Sequence, residues 1–170
     1  MKLSELITEK LVISSIEPCE KKVDVLKAFV RLFAQAGLVG DAEECLYAIR
    51  QREQIESTAI GEGVAIPHGR SETVKKLAIA FGRSKEGIAF DALDKKPVHL
   101  LFMIVSPTDA QGGYLQAVAK IARLLKNKAL KVRLMEAETP EDAMAVIRDF
   151  DGRVAPDIEV ETREGRVIHR

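Results

Sequence analysis

A chain of 170 residues, 46% of them hydrophobic, is long enough to close one substantial core, too short for two, and too apolar for a disordered segment. Its 26 basic residues balance 26 acidic ones with no basic stripe, which argues against a nucleic-acid partner. The longest apolar run, Leu100 to Val105, is far too short to cross a bilayer, and Met1-Lys2-Leu3-Ser4-Glu5-Leu6 lacks the apolar stretch of a signal peptide.

Residues 2–9 fit a short amphipathic helix, and Lys10 to Ile16, rich in β-branched residues, fits a strand. From Glu20 to Gly37 the spacing turns helical: Leu26, Phe29, Val30 and Phe33 fall at i, i+3, i+4, i+7, and Gly37 supplies the stop. A second helix starts near Asp41, whose carboxylate can cap it, and runs to about Gln54. Its far end delivers Arg52 and Glu53 toward the next segment. There the apolar run Val64-Ala65-Ile66 meets Pro67, which denies a ladder its donor, so His68 is expected where the strand stops. Gly69 is expected to let the backbone turn and a ligand approach closely.

Leu77 to Gly82 and Gly87 to Phe90 read as two strands around a turn at Ser84-Lys85-Glu86. Val98 to Val105 is apolar almost throughout, as a strand covered on both faces should be, and it ends at Ser106-Pro107. Gly112 and Gly113 lead into a helix whose expected buried stripe is Leu115, Val118, Ala119, Ala122 and Leu125. Lys128 to Glu136 continues as a helix. Thr139-Pro140-Glu141-Asp142 combines a cap, a first-turn proline and an acid three residues on, which starts a last helix reaching about Phe150. Helices interleaved with strands, one of them fully apolar, give an α/β fold: a mixed β-sheet flanked by helices on both faces, in a single domain over residues 1–150. Residues 151–170 hold Pro156 and many charges, and are expected as a flexible tail rather than a weak hairpin.

Cys19 and Cys45 are isolated and lie in or beside helices, so they read as reduced packing residues of a cytoplasmic protein. His68, His99 and His169 are too scattered for a metal site without matching Cys or carboxylate spacing. His99 opens the buried strand and reads as a satisfied core histidine. An imidazole on a rigid stem near arginines, as at His68, suits a phosphoryl group better than a metal. The plainer readings are a turn histidine bonded to a carbonyl, with Arg52 and Arg70 as solvated cations.

Glu53, Ile60-Gly61 and Val64-Ala65-Ile66-Pro67-His68-Gly69, with Arg52, Ser57-Thr58 and Arg70 around them, resemble the phosphorylation-site signature of the mannitol/fructose-type enzyme IIA domains of the bacterial sugar phosphotransferase system. The likeness covers roughly residues 3–150, and the short chain is most similar to the nitrogen-regulatory branch. The resemblance implies a cytoplasmic phosphocarrier with His68 as the residue that accepts a phosphoryl group from an HPr-like phosphohistidine protein. It implies onward signalling to regulatory protein targets, or transfer to a permease component in sugar transport, with no nucleotide, metal or other cofactor. Arg52 and Arg70 offer planar forks for phosphate oxygens, and Thr58 and the amide of Gly69 would complete the cradle. No glycine loop of the nucleotide-binding kind is present. Many members carry a second histidine at the start of the helix after the Ser-Pro strand end, where Tyr114 stands here. A tyrosine donates a hydrogen bond but not an imidazolium charge. A binding module of the same fold with weakened phosphotransfer is therefore the alternative to an active carrier. Leu77, Phe90, Tyr114 and Leu115 are the expected apolar rim.

Overall fold

The computed structural model describes residues 1–18, 21–109, 111–154, 159–161 and 167–169. Its centre is strand β6 (Val98–Ser106), buried along nearly all its length, as its unbroken apolar run requires. Antiparallel to it lies β5 (Ala78–Ile88), with Ala80 opposite Met103 and Phe81 opposite Phe102. On the other side of β6 run β3 (Val64–Ala65) and β4 (His68–Arg70), both parallel to it. Short strands β1 (Val12–Ile13) and β2 (Ala59–Gly61) form the edges, giving the order β1-β5-β6-β3-β2 with β4 also paired to β6.

Helices cover both faces, as expected. One face carries α2 (Lys22–Gln35) and α3 (Ala42–Ile55), whose Phe29, Phe33 and Ile49 pack on Ala80, Leu101 and Met103. The other carries α1 (Leu3–Leu6), α4 (Gln111–Lys126), α5 (Lys128–Glu136) and α6 (Pro140–Arg153), whose Leu3, Ile121, Leu130 and Ile147 pack on Phe81, Phe102 and Ile104. The period-2 alternation of β6 sends successive side chains to the two cores. Each such side chain contributes about 1.5–3 kcal/mol when fully buried.

The caps lie where their chemistry places them. The Asp41 carboxylate accepts the Glu44 amide, and the Thr139 hydroxyl accepts the Asp142 amide with Pro140 in the first turn. Gly37, at φ 74°, ends α2, and the Leu38 amide donates back to Phe33 O at 2.9 Å. Cys45 is buried and unbridged, and burial pushes its thiol up to about 11; Cys19 lies outside the described residues.

Five local expectations are corrected. The strand expected at Lys10–Ile16 shrinks to Val12–Ile13, because a 3-10 turn occupies Glu9–Leu11. The helix expected over residues 2–9 is a single turn, Leu3–Leu6. There is no turn at Ser84-Lys85-Glu86: β5 runs through as one strand, and residues 84–87 bulge so that Arg83 faces Leu100 and Ile88 faces Val98. In α4 the fully buried residues are Ala117, Ile121 and Leu124; of the expected stripe Val118 and Leu125 pack half-buried on the same core, while Leu115 is 58% exposed. The last helix passes Phe150 to Arg153, and Asp151 accepts the amides of Leu3 and Ser4 at 2.9 Å each. Beyond it, Glu159–Glu161 (β7) pairs antiparallel with Val167–His169 (β8); the rest of that stretch lies outside the described residues.

Candidate active site

Pro67 interrupts the ladder but does not end it. Ala65 faces Leu101 and His68 faces Ile104, a constant register, and Pro67 O accepts the Ile104 amide at 2.9 Å. His68 is therefore carried on a strand clamped on both sides of the proline, instead of at the free end that the sequence suggests. Gly69 does not turn the chain either. A Cβ there would meet Ile49 Cγ1 at 2.8 Å and Ile49 N at 3.2 Å, so the missing side chain lets α3 lie directly on β4. That close approach brings the last turn of α3, with Arg52, up to His68.

The His68 ring is half-buried. Its Nδ1 lies 3.0 Å from Ile66 O and donates to it, which leaves Nε2 with a free lone pair. Burial is the largest influence on its proton affinity and lowers its pKa below the ordinary 6.5. The Ile66 carbonyl and Glu53 oppose that shift, while Arg52 and Arg70 assist it. The imidazole is consequently neutral at neutral pH. The carbonyl contact of the plainer reading is thus present, and it fixes the tautomer that exposes the nucleophilic nitrogen.

His68 lies in an open cleft of about 570 Å³ with Arg52, Gly69, Arg70, Thr108 and Tyr114, floored by Ala48. Arg52 donates through Nη1 to Glu56 O at 2.7 Å, which orients its guanidinium from the helix end. Arg70 is exposed at the mouth. The Tyr114 ring, from the first turns of α4, packs on His68 with centroids 4.9 Å apart and planes tilted by 44°. Burial raises the Tyr114 pKa, against the pull of Arg52 and Arg70, so its phenol keeps its proton as a donor.

Two expected participants stand elsewhere. Thr58 is buried and its hydroxyl donates to Glu53 Oε1, so it braces Glu53 and does not line the cleft. Phe90 is fully buried beneath Lys22 and cannot rim anything. His99 Nδ1 bonds to Ser84 O at 2.8 Å at the β5 bulge, a satisfied histidine away from the cleft. No group of three or more metal-ligating side chains occurs among the described residues. Sequence reasoning missed Thr108, which follows the Ser-Pro strand end, and Lys22, whose Nζ lies 2.8 Å from Glu53 Oε2. Neither carries a spacing signal.

A mixed sheet between two helical layers, with a neutral histidine and two guanidiniums at one cleft, defines a domain suited to holding a phosphoryl group. Residues 5–150 match the model of the phosphoenolpyruvate-dependent sugar phosphotransferase system, EIIA 2, and the chain belongs to that family. The fructose-specific EIIABC component of Bacillus subtilis is 38% identical over 151 residues, which are 89% of this chain but 24% of that longer protein. The nitrogen regulatory protein of Bradyrhizobium diazoefficiens is 32% identical over 148 residues, covering 86% of this chain and 92% of its own. The crystal structure of the nitrogen regulatory protein IIA-Ntr from Neisseria meningitidis superposes with a TM-score of 0.78 at 30% identity, over 85% of this chain and 97% of that one. Sugar-specific and nitrogen-regulatory relatives thus share one fold with this chain. No helix among the described residues is long and apolar enough to cross a membrane.

Proposed function

We propose that this protein is a cytoplasmic phosphocarrier of the nitrogen-regulatory type, in which His68 Nε2 accepts a phosphoryl group from the phosphohistidine of an HPr-like protein. The carrying observation is the bond from Nδ1 to Ile66 O, which leaves Nε2 bare on a neutral ring beside Arg52 and Arg70. As the new N–P bond forms at His68, the donor's N–P bond breaks and its electron pair returns to the donor imidazole. No oxidant, metal or nucleotide enters the balance. Such a transfer passes through a loose transition state with charge spread over three oxygens, so placed cations supply most of the catalysis. Arg52 and Arg70 are those cations, with the Tyr114 phenol as a neutral donor; the Gly69 amide, expected in the cradle, faces β6 in the parallel ladder instead. The phosphorylated form then signals to regulatory protein targets.

A second reading, a fructose-type transport component that passes the group to a permease partner, is favoured by the 38% identity with the fructose-specific relative. Incubation with a phosphorylated HPr-like donor is expected to add one acid-labile phosphate, and His68→Ala to abolish it. Persistent labelling of that variant would refute the assignment. Transfer onward to a fructose-type EIIB partner would decide for transport, and a wild type that takes no label would leave a binding module.

A further inference from the structure

Lys22 opens α2, far along the chain from the cleft, yet its Nζ lies 2.8 Å from Glu53 Oε2, with side chains only 21% and 5% exposed. Glu53 Oε1 receives the Thr58 hydroxyl, and both carboxylate oxygens face the Thr58 amide at 3.3 Å. The same Lys22 ammonium stands 4.6 Å over the Phe90 ring and 3.7 Å from Asp91 Oδ2. One carboxylate therefore gathers the start of α2, the last turn of α3 and the residues entering β2.

That last turn carries Arg52, the neighbour of Glu53, into the cleft. The groups that face His68 are Arg52 and Glu53 from α3, Arg70 from its own strand and Tyr114 from α4. Glu53 alone among them favours a protonated imidazole, the form that cannot attack phosphorus. A cation at 2.8 Å offsets that field from the side away from the cleft. We propose that Lys22 is a positioning residue for phosphoryl acceptance: through Glu53 it fixes the turn that presents Arg52, and it offsets the charge of a carboxylate close to His68. This deepens the phosphocarrier reading and rests on it.

The test follows the His68 ring nitrogens by NMR titration, together with transfer rates from a phosphorylated HPr-like donor, in wild type, Lys22→Met, Lys22→Arg and Glu53→Gln. Lys22→Met is expected to raise the His68 pKa and Glu53→Gln to lower it, with Lys22→Arg restoring the wild-type curve. Lys22→Met should also lose roughly tenfold in kcat with the donor's KM unchanged, the scale of a misplaced catalytic group. A pair that merely braces the fold would lower the melting temperature of both variants and leave the His68 titration where it was; that result overturns the proposal. Glu53→Gln reads the same field with the opposite sign, so the test survives if Lys22→Met fails to fold. A wild type that accepts no phosphate refutes the phosphocarrier reading instead, a result told apart from unmoved titrations.

Discussion

Adding a single methyl at Gly69 probes how closely α3 must lie on β4. The new carbon would stand 2.8 Å from Ile49 Cγ1, 3.2 Å from Ile49 N and 3.3 Å from Ile49 Cα. Carbon pairs prefer about 3.5–4.0 Å, and two of these three atoms are backbone, so rotation of the Ile49 side chain cannot relieve the clash. The helix itself must retreat by several tenths of an ångström. Overpacking of this kind costs about 1–3 kcal/mol. In a domain of this size each kcal/mol lowers the melting temperature by about 2–4 °C, so Gly69→Ala should melt roughly 2–12 °C lower. Because Arg52 rides on the displaced helix, transfer should slow by about tenfold to a hundredfold. Thermal unfolding followed by circular dichroism, with phosphoryl transfer timed on the same samples, measures both. The methyl should cost less stability in an Ile49→Ala background, where one of the three contacts is gone. A Gly69→Ala protein that melts and transfers like wild type would refute the reasoning.

The pH profile is a second expectation. Burial holds the His68 pKa below 6.5, so the acceptance rate should be flat above about pH 6.5 and fall only below it; an acid limb at higher pH would contradict the neutral imidazole. Stability carries the same sign. The folded state disfavours the extra proton, so this residue's contribution is complete above the unfolded value and is lost as the pH falls through the lower folded one. His68→Gln should flatten the stability slope in that window, as read by urea unfolding at several pH values. Tyr114→Phe removes a phenol donor worth about 1.5–3 kcal/mol on a charged oxygen, so transfer should slow by roughly tenfold to a hundredfold. Unchanged kinetics in that variant would remove Tyr114 from the site.

What could be read along the chain was mostly local. Asp41, Thr139 and Gly37 mark helix ends because a cap or a positive φ is decided within four residues. The unbroken apolar run of β6 declares a strand between two layers, and Arg52, His68 and Arg70 share a cleft because one helix end and one strand deliver them. What escaped depends on distant partners. Ser84-Lys85-Glu86-Gly87 has turn chemistry, but β6 pairs with the chain on both sides of it and makes it a bulge. Pro67 ought to end a strand, but a constant register against β6 carries the chain through it. Helix α4 offers apolar residues on two adjoining faces, and the face that docks is the one bearing Tyr114 toward His68. The Thr58 hydroxyl looks available until Glu53 claims it, and the reach of Lys22 across α2 and α3 has no period to betray it.

The central claim concerns one nitrogen atom. Phosphorylating the protein with uniformly ¹⁵N-labelled histidine and recording the ring correlations identifies the atom that bears phosphorus. Phosphorus on Nε2 of His68, with Nδ1 still protonated toward Ile66, is the predicted result. Phosphorus on Nδ1, or on any residue other than His68, would contradict the account.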